Sequence, residues 1–137
     1  MRAECFIDTN VVLYAMSTDA AEAGKRKRAR ELLRGDDWGL SVQVLQELYV
    51  NLIRPRNPLM THADAVLLLR QLMLRPLIVS DSGLMLDALD LRARFRLSYW
   101  DAAIVAAALR LGCSVLWTED LNHGQEIGTL RIANPFR

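Results

Sequence analysis

Short apolar runs recur along this chain at Glu4–Ile7, Trp38–Leu40, Leu77–Val79, Ser114–Trp117 and Leu130–Ala133, with longer helical patterns between most of them. Such runs suit buried strands, and strands alternating with helices predict an α/β fold around a mainly parallel sheet. The clearest step is the last, in which an Asp101–Leu111 helix is stopped by Gly112 and followed by the Ser114–Trp117 strand. Start signals place the other helices. A charged helix covers Ala20–Leu33. Ser41 is set to cap a helix with Val44, Leu45, Leu48 and Leu52 on one face, which must end before Pro55. Thr61 and Asp64 have capping-box spacing at the start of a helix running to Leu74, and Ser98 and Asp101 have it before Ile104, Ala108 and Leu111. Ser80 or Asp81 caps the helix on which Leu84, Ala88, Leu91 and Phe95 recur at helical spacing.

At 137 residues, with no linker, repeat or low-complexity tract, the chain is expected to form one domain over residues 1–137. An apolar content of 52% against 24% charged residues excludes a disordered segment. The formal net charge of +1 announces no polyanion ligand, so any nucleic-acid contact must use local patches. Cys5 and Cys113 lie in or beside apolar runs without a zinc-ligand spacing and read as buried thiols. The first residues lead straight into a strand-like run with Glu4 and Asp8, unlike a signal peptide, and no apolar stretch approaches a membrane span. A cytoplasmic protein is expected.

The chemistry-bearing signal is acidic. In open parallel sheets ligands sit beyond the carboxyl ends of the strands, and Asp8 and Asp120 both fall there. Either alone is also explained as a helix cap or turn residue. Glu47, with Val44 and Val50 three residues to either side and Asn51 beside it, sits at the border of an apolar face; a contact with Arg54 is the bland account. Asp101 has a capping role open to it, yet it stands between Trp100 and Ala102-Ala103 on a helix that reads as buried, where an unpaired carboxylate is costly. Four converging carboxylates raise one another's pKa values unless a cation offsets them. Magnesium or manganese suits such oxygen donors, whereas His62 and His123 have no zinc-site spacing. The chemistry that follows is phosphodiester hydrolysis without a protein nucleophile.

The segments Phe6-Ile7-Asp8-Thr9-Asn10-Val11, Ser41 to Glu47, Trp100-Asp101-Ala102-Ala103-Ile104 and Leu116-Trp117-Thr118-Glu119-Asp120 follow one another as in a PIN domain. The chain resembles in particular the VapC-like toxins of toxin–antitoxin modules, from about residue 4 to Asn134-Pro135-Phe136. The resemblance implies a three-layer α/β/α sandwich, magnesium- or manganese-dependent endoribonuclease activity on RNA, a homodimer and a cognate antitoxin partner. Position by position, it assigns the principal acids to Asp8, Glu47 and Asp101 and the fourth to Asp120. Thr118 matches the hydroxyl residue two positions earlier, and Asn10 a supporting position beside the first acid. Glu119 adjoins Asp120, and spacing favours Asp120 as the one facing the metal. His123, in the polar turn that follows, is a further candidate for substrate contact.

Two features bear on partners. Lys25, Arg26, Lys27 and Arg28 concentrate positive charge on one helix, as phosphate contacts or as a solvated face. The Thr61–Leu74 helix carries more leucine than one core-facing stripe needs, which suggests a dimer or antitoxin groove beside simple core burial. The alternatives are another acid-cluster phosphohydrolase, a DNA nuclease, or an inactive PIN-like RNA- or protein-binding module. A haloacid-dehalogenase-type enzyme requires Asp where Asn10 stands. A receiver domain requires a late lysine, and none follows Lys27; no Gly-rich phosphate loop follows the first strand.

Overall fold

The computed structural model describes residues Met1–Arg137 and realises the alternation of strands and helices. In chain order the elements are β1 (Cys5–Ile7), α1 (Thr9–Met16), a 3-10 turn (Ala20–Glu22), α2 (Ala23–Leu33), β2 (Trp38–Ser41), α3 (Val42–Leu52), α4 (His62–Leu72), β3 (Leu77–Ile78), α5 (Ser82–Phe95), α6 (Tyr99–Arg110), β4 (Val115–Trp117), β5 (Glu126–Ile127) and β6 (Leu130–Ala133). They build a six-stranded sheet of order β3-β2-β1-β4-β6-β5. Every neighbouring pair is parallel except β5 with β6.

This order makes the fold a sandwich. From β1 the chain moves outward through β2 to β3, then returns across the sheet to β4 on the other side of β1. Right-handed crossovers in opposite directions put α1 to α4 on one face and α5 with α6 on the other. The packing agrees: α1 meets α2 and α3, α3 meets α4, and α5 pairs with α6. Phe6, Leu40, Leu116 and Ile132, one from each of four strands, are completely buried in the layer between. On α6, residues 102–108 are all buried, and the alanines among them let the helix approach β2 and β4 closely.

Local chemistry sets the helix starts. Ser41, Thr61, Asp81 and Ser98 each accept a hydrogen bond from the amide three residues on, so Asp81 rather than Ser80 caps α5. In neither predicted capping box does the acid return a bond to the cap's own N–H. Gly112 takes a φ of +79°, the left-handed turn its position after α6 requires. The charged helix begins with a 3-10 turn, and α4 stops at Leu72 rather than Leu74. Two elements went unpredicted. Helix α1 is only eight residues long, and β5 is a two-residue strand paired with β6 across the Gly128 turn. No helix is long and apolar enough to cross a membrane.

Candidate functional site

The parallel register of β1 and β4 sets Ile7 opposite Trp117, so Asp8 and Thr118 emerge side by side at the carboxyl edge of the sheet. This is where the strand order reverses and helices from the two faces leave a crevice between them. Asp8 is 7% exposed and caps α1 through the Thr9 amide, 2.7 Å from Oδ1. Its Oδ2 accepts the Thr118 hydroxyl at 2.8 Å. The same hydroxyl accepts the Asn10 side-chain amide at 3.2 Å and the Asp120 backbone amide at 3.1 Å, which uses its one donor and both lone pairs. Asn10 Nδ2 also donates to Asp120 Oδ2 at 3.0 Å, and Asn10 Oδ1 accepts the Glu119 amide. Asp8, Asn10, Thr118 and Asp120 thus form one bonded unit across the two strands.

Glu47 joins this unit from α3. Its Oε2 accepts the Thr9 hydroxyl at 3.0 Å and its Oε1 the Gln43 amide, one helical turn earlier, at 2.8 Å. Thr9 therefore bridges two carboxylates, with its amide on Asp8 and its hydroxyl on Glu47. Arg54, the bland partner for Glu47, instead donates from Nε to the Asn57 carbonyl. Asp101 comes from the opposite face of the sheet, in the first turn of α6. Its amide serves the Ser98 cap and its carboxylate takes no protein donor. The link to the other acids is indirect: Gln43 Nε2, which holds Glu47, also donates to the Trp100 carbonyl at 3.1 Å.

The electrostatics are those of an acid site without a basic partner. Burial above all, with the Glu47 and Asp120 charges added, raises the Asp8 carboxyl from 3.8 to about 6, against the lowering effect of its Thr118 and Thr9 hydrogen bonds. None of the protein's ion pairs includes Asp8, Glu47, Asp101 or Asp120. As the side chains lie, no three His, Cys, Asp or Glu residues stand close enough together to clasp an ion. The like charges are held apart by hydroxyls and amides between them. The donors themselves suit a hard divalent cation, because they are carboxylate oxygens and the most buried of them carries a raised pKa.

Glu119 and Asp120 diverge. Glu119 accepts Tyr14 Oη at 2.7 Å and pairs with Lys25, while Asp120 turns to Asn10. Burial works to raise the Glu119 carboxyl, but the Lys25 ammonium and Tyr14 hydroxyl outweigh it and hold it below its usual range. The basic run on α2 is largely committed within the protein. Lys25 serves Glu119, Arg26 the Ser17 carbonyl, and Arg28 both the Pro135 carbonyl and the Trp117 ring face, leaving Lys27 exposed. His123 accepts the Asn134 amide through Nδ1. Cys113 is buried as expected but Cys5 is only half-buried, and burial raises both thiols, Cys113 to about 12. Sequence reasoning missed Thr9 and Gln43. The signals were there in the hydroxyl next to Asp8 and the amide one turn before Glu47.

A family model described as PIN domain matches residues 5–125. No curated protein matches the sequence. Among solved structures, the chain is similar to the toxin–antitoxin complex from Klebsiella pneumoniae, with a TM-score of 0.71 and 17% identity over 96% of this chain and 97% of that one. It is also similar to Mycobacterium tuberculosis VapC20, described as a Sarcin-Ricin loop cleaving toxin, with a TM-score of 0.64 and 18% identity over 85% and 89% of the two chains. FitAcB from Neisseria gonorrhoeae matches with a TM-score of 0.68 and 17% identity over 96% and 98%. At these identities the likeness is one of fold.

Proposed function

Because the chain belongs to the PIN-domain family, we propose that it is a divalent-metal-dependent endoribonuclease that hydrolyses RNA phosphodiester bonds, and that it is the toxin of a toxin–antitoxin pair. One observation carries the reading. A buried carboxylate, Asp8, lies at the carboxyl edge of the sheet with Glu47 and Asp120 near enough to raise its pKa and with no basic side chain paired to it. A protein keeps so costly an arrangement where a cation offsets it.

In this reading Asp8, Glu47, Asp101 and Asp120 hold magnesium or manganese. Bound there, the ion supplies charge neutralisation and Lewis acidity toward a phosphodiester and water. The remaining residues orient. Thr118 fixes Asp8 and the backbone of Asp120, Asn10 fixes the Asp120 carboxylate, and Thr9 and Gln43 aim Glu47. Of the basic run, Lys27 is the side chain left exposed for phosphates, with Lys25, Arg26 and Arg28 shaping the surface around it. The proposed partners are an antitoxin and a second copy of the chain. The similarity to a toxin–antitoxin complex supports the first. Leu67, Met73 and Leu74 on and beside α4, with Met85, Leu86 and Leu89 on α5, are exposed apolar surface of the kind partners cover.

The separation of the acids favours a second reading, an inactive RNA- or protein-binding module. Cleavage of a mixed cellular RNA pool decides between them. Discrete fragments are expected with manganese, and none with chelator or with folded Asp101→Asn. Uncut RNA in every lane, from folded protein free of bound antitoxin, overturns the nuclease reading in favour of the module.

A further inference from the structure

Trp100 stands beside the acid site in a setting that core packing does not explain. It is the only one of the three tryptophans to be exposed, at 65%, while Ala102 and Ala103 of the same helix turn into the core. An indole is a large apolar surface to leave in water. Its position is nonetheless fixed. The Tyr99 ring braces it edge to face, with centroids 5.0 Å apart and planes at 79°. Its carbonyl is held by Gln43, the residue that also holds Glu47, and Asp101 follows it in the chain. The indole is therefore mounted on the same framework as two of the proposed metal-binding acids.

Trp100 forms one wall of a cavity of about 430 Å³ completed by Gln43, Gln46, Glu47, Val50 and Asn51. The Gln46 amide makes no hydrogen bond within the protein. Asn51 spends one N–H on the Glu47 carbonyl and keeps its Oδ1 and second N–H free. Val50, 66% exposed, adds an apolar surface. No lysine or arginine lines the cavity, so it is not built for a phosphate. An aromatic face with unspent amide donors and acceptors matches a neutral, flat, hydrogen-bonding ring, which is how proteins take unstacked bases of single-stranded RNA.

We propose that Trp100, with Gln46 and Asn51, forms a subsite that stacks and reads one nucleobase of single-stranded RNA, next to the phosphodiester held at the acid cluster. The position of that base relative to the bond rests on the nuclease reading; the binding of the base does not.

The test therefore has two arms on the full chain. In the first, fluorescence anisotropy measures binding of short labelled oligo(A), oligo(C) and oligo(U) ribonucleotides to wild type, Trp100→Ala, Trp100→Phe and Gln46→Ala in chelator. Base–aromatic stacking of ordinary strength predicts a loss of about tenfold in affinity for Trp100→Ala. Trp100→Phe should recover most of it, and Gln46→Ala should flatten the preference among the three oligomers. In the second, the cleaved sequence is varied at the base on each side of the bond. The Trp100→Ala loss should fall on KM rather than kcat, with discrimination lost at one position. Light scattering follows the mass of each variant. Unchanged affinity and preference in folded Trp100→Ala overturns the subsite. So does a fall in oligomer mass that accounts for any loss, which would make this face a protein interface. If no protein cleaves RNA but the first arm succeeds, the nuclease reading fails and the base subsite stands.

Discussion

Asp8 loses hydration on folding and gains two carboxylate neighbours, and the direction of its shift fixes a pH dependence for the chelator-treated protein. Its carboxyl moves from 3.8 to about 6 in the folded state. Below pH 3.8 it is protonated in both states and costs nothing. As pH rises toward about 6 the unfolded chain ionises first, and stability falls until the folded group has ionised too. A difference of about two in pKa corresponds to about 3 kcal/mol. Asp8→Asn removes the charge while keeping an acceptor for its neighbours. In chelator, the variant should therefore be more stable than wild type near pH 7, with the gap closing as pH drops toward 4. Urea melts across that range check it, because carboxylates remote from Asp8 contribute equally to both proteins and cancel in the difference. A variant less stable than wild type at neutral pH would mean that the Thr9 and Thr118 hydrogen bonds outweigh the burial of charge. At this scale the acids were legible in the sequence but Thr9 and Gln43 were not, since their bonds to Glu47 exist only once α3 has formed and folded against the Asp8 turn.

At the scale of the element, Asp101 and Glu119 each had two roles open to them in the sequence, and the structure separates the roles. Ser98 caps α6 through the Asp101 amide, which any residue supplies, so the Asp101 carboxylate is not part of the cap. Ser98→Ala should cost about 1 kcal/mol. Asp101→Asn should change stability little in chelator, so that a loss of cleavage in this variant is not a loss of fold; thermal melts followed by circular dichroism compare the two. The Glu119 carboxylate is engaged by Lys25 and Tyr14, whereas that of Asp120 takes the Asn10 amide. Glu119→Gln should then leave manganese stabilisation in place, whereas Asp120→Asn should weaken it. The reverse result would give Glu119 the role proposed for Asp120. Caps such as Ser41 and Thr61 were legible because cap chemistry spans a few residues. Helix α1 was not, since the run Val11-Val12-Leu13 carries the β-branched residues that strands favour, and only docking against α2 and α3 settles it as helix. The two residues of β5 give a periodicity argument nothing to work on.

For the molecule as a whole, alternation of runs predicted a parallel sheet, but strand order is a long-range property that no local pattern encodes. The order puts β1 beside β4, and with that the ends holding Asp8 and Thr118 become neighbours although 110 positions separate them. Glu47 from α3 joins Asp8 at this switch point through Thr9, and the first turn of α6, which carries Asp101, reaches it through Gln43. Close packing beneath them is strict. A Cβ on Gly39 would lie 2.5 Å from Leu111 Cδ2 and 2.6 Å from the Pro76 carbonyl, which is why glycine occupies the middle of β2. The central claim is that this meeting point binds a divalent cation, and thermal unfolding across a manganese titration tests it most directly. An ion that binds only the folded state should raise the Tm of wild type progressively with concentration, with magnesium acting likewise and Asp8→Asn losing most of the effect. A Tm unmoved by manganese, magnesium or calcium, or one that rises equally in Asp8→Asn, would contradict the account.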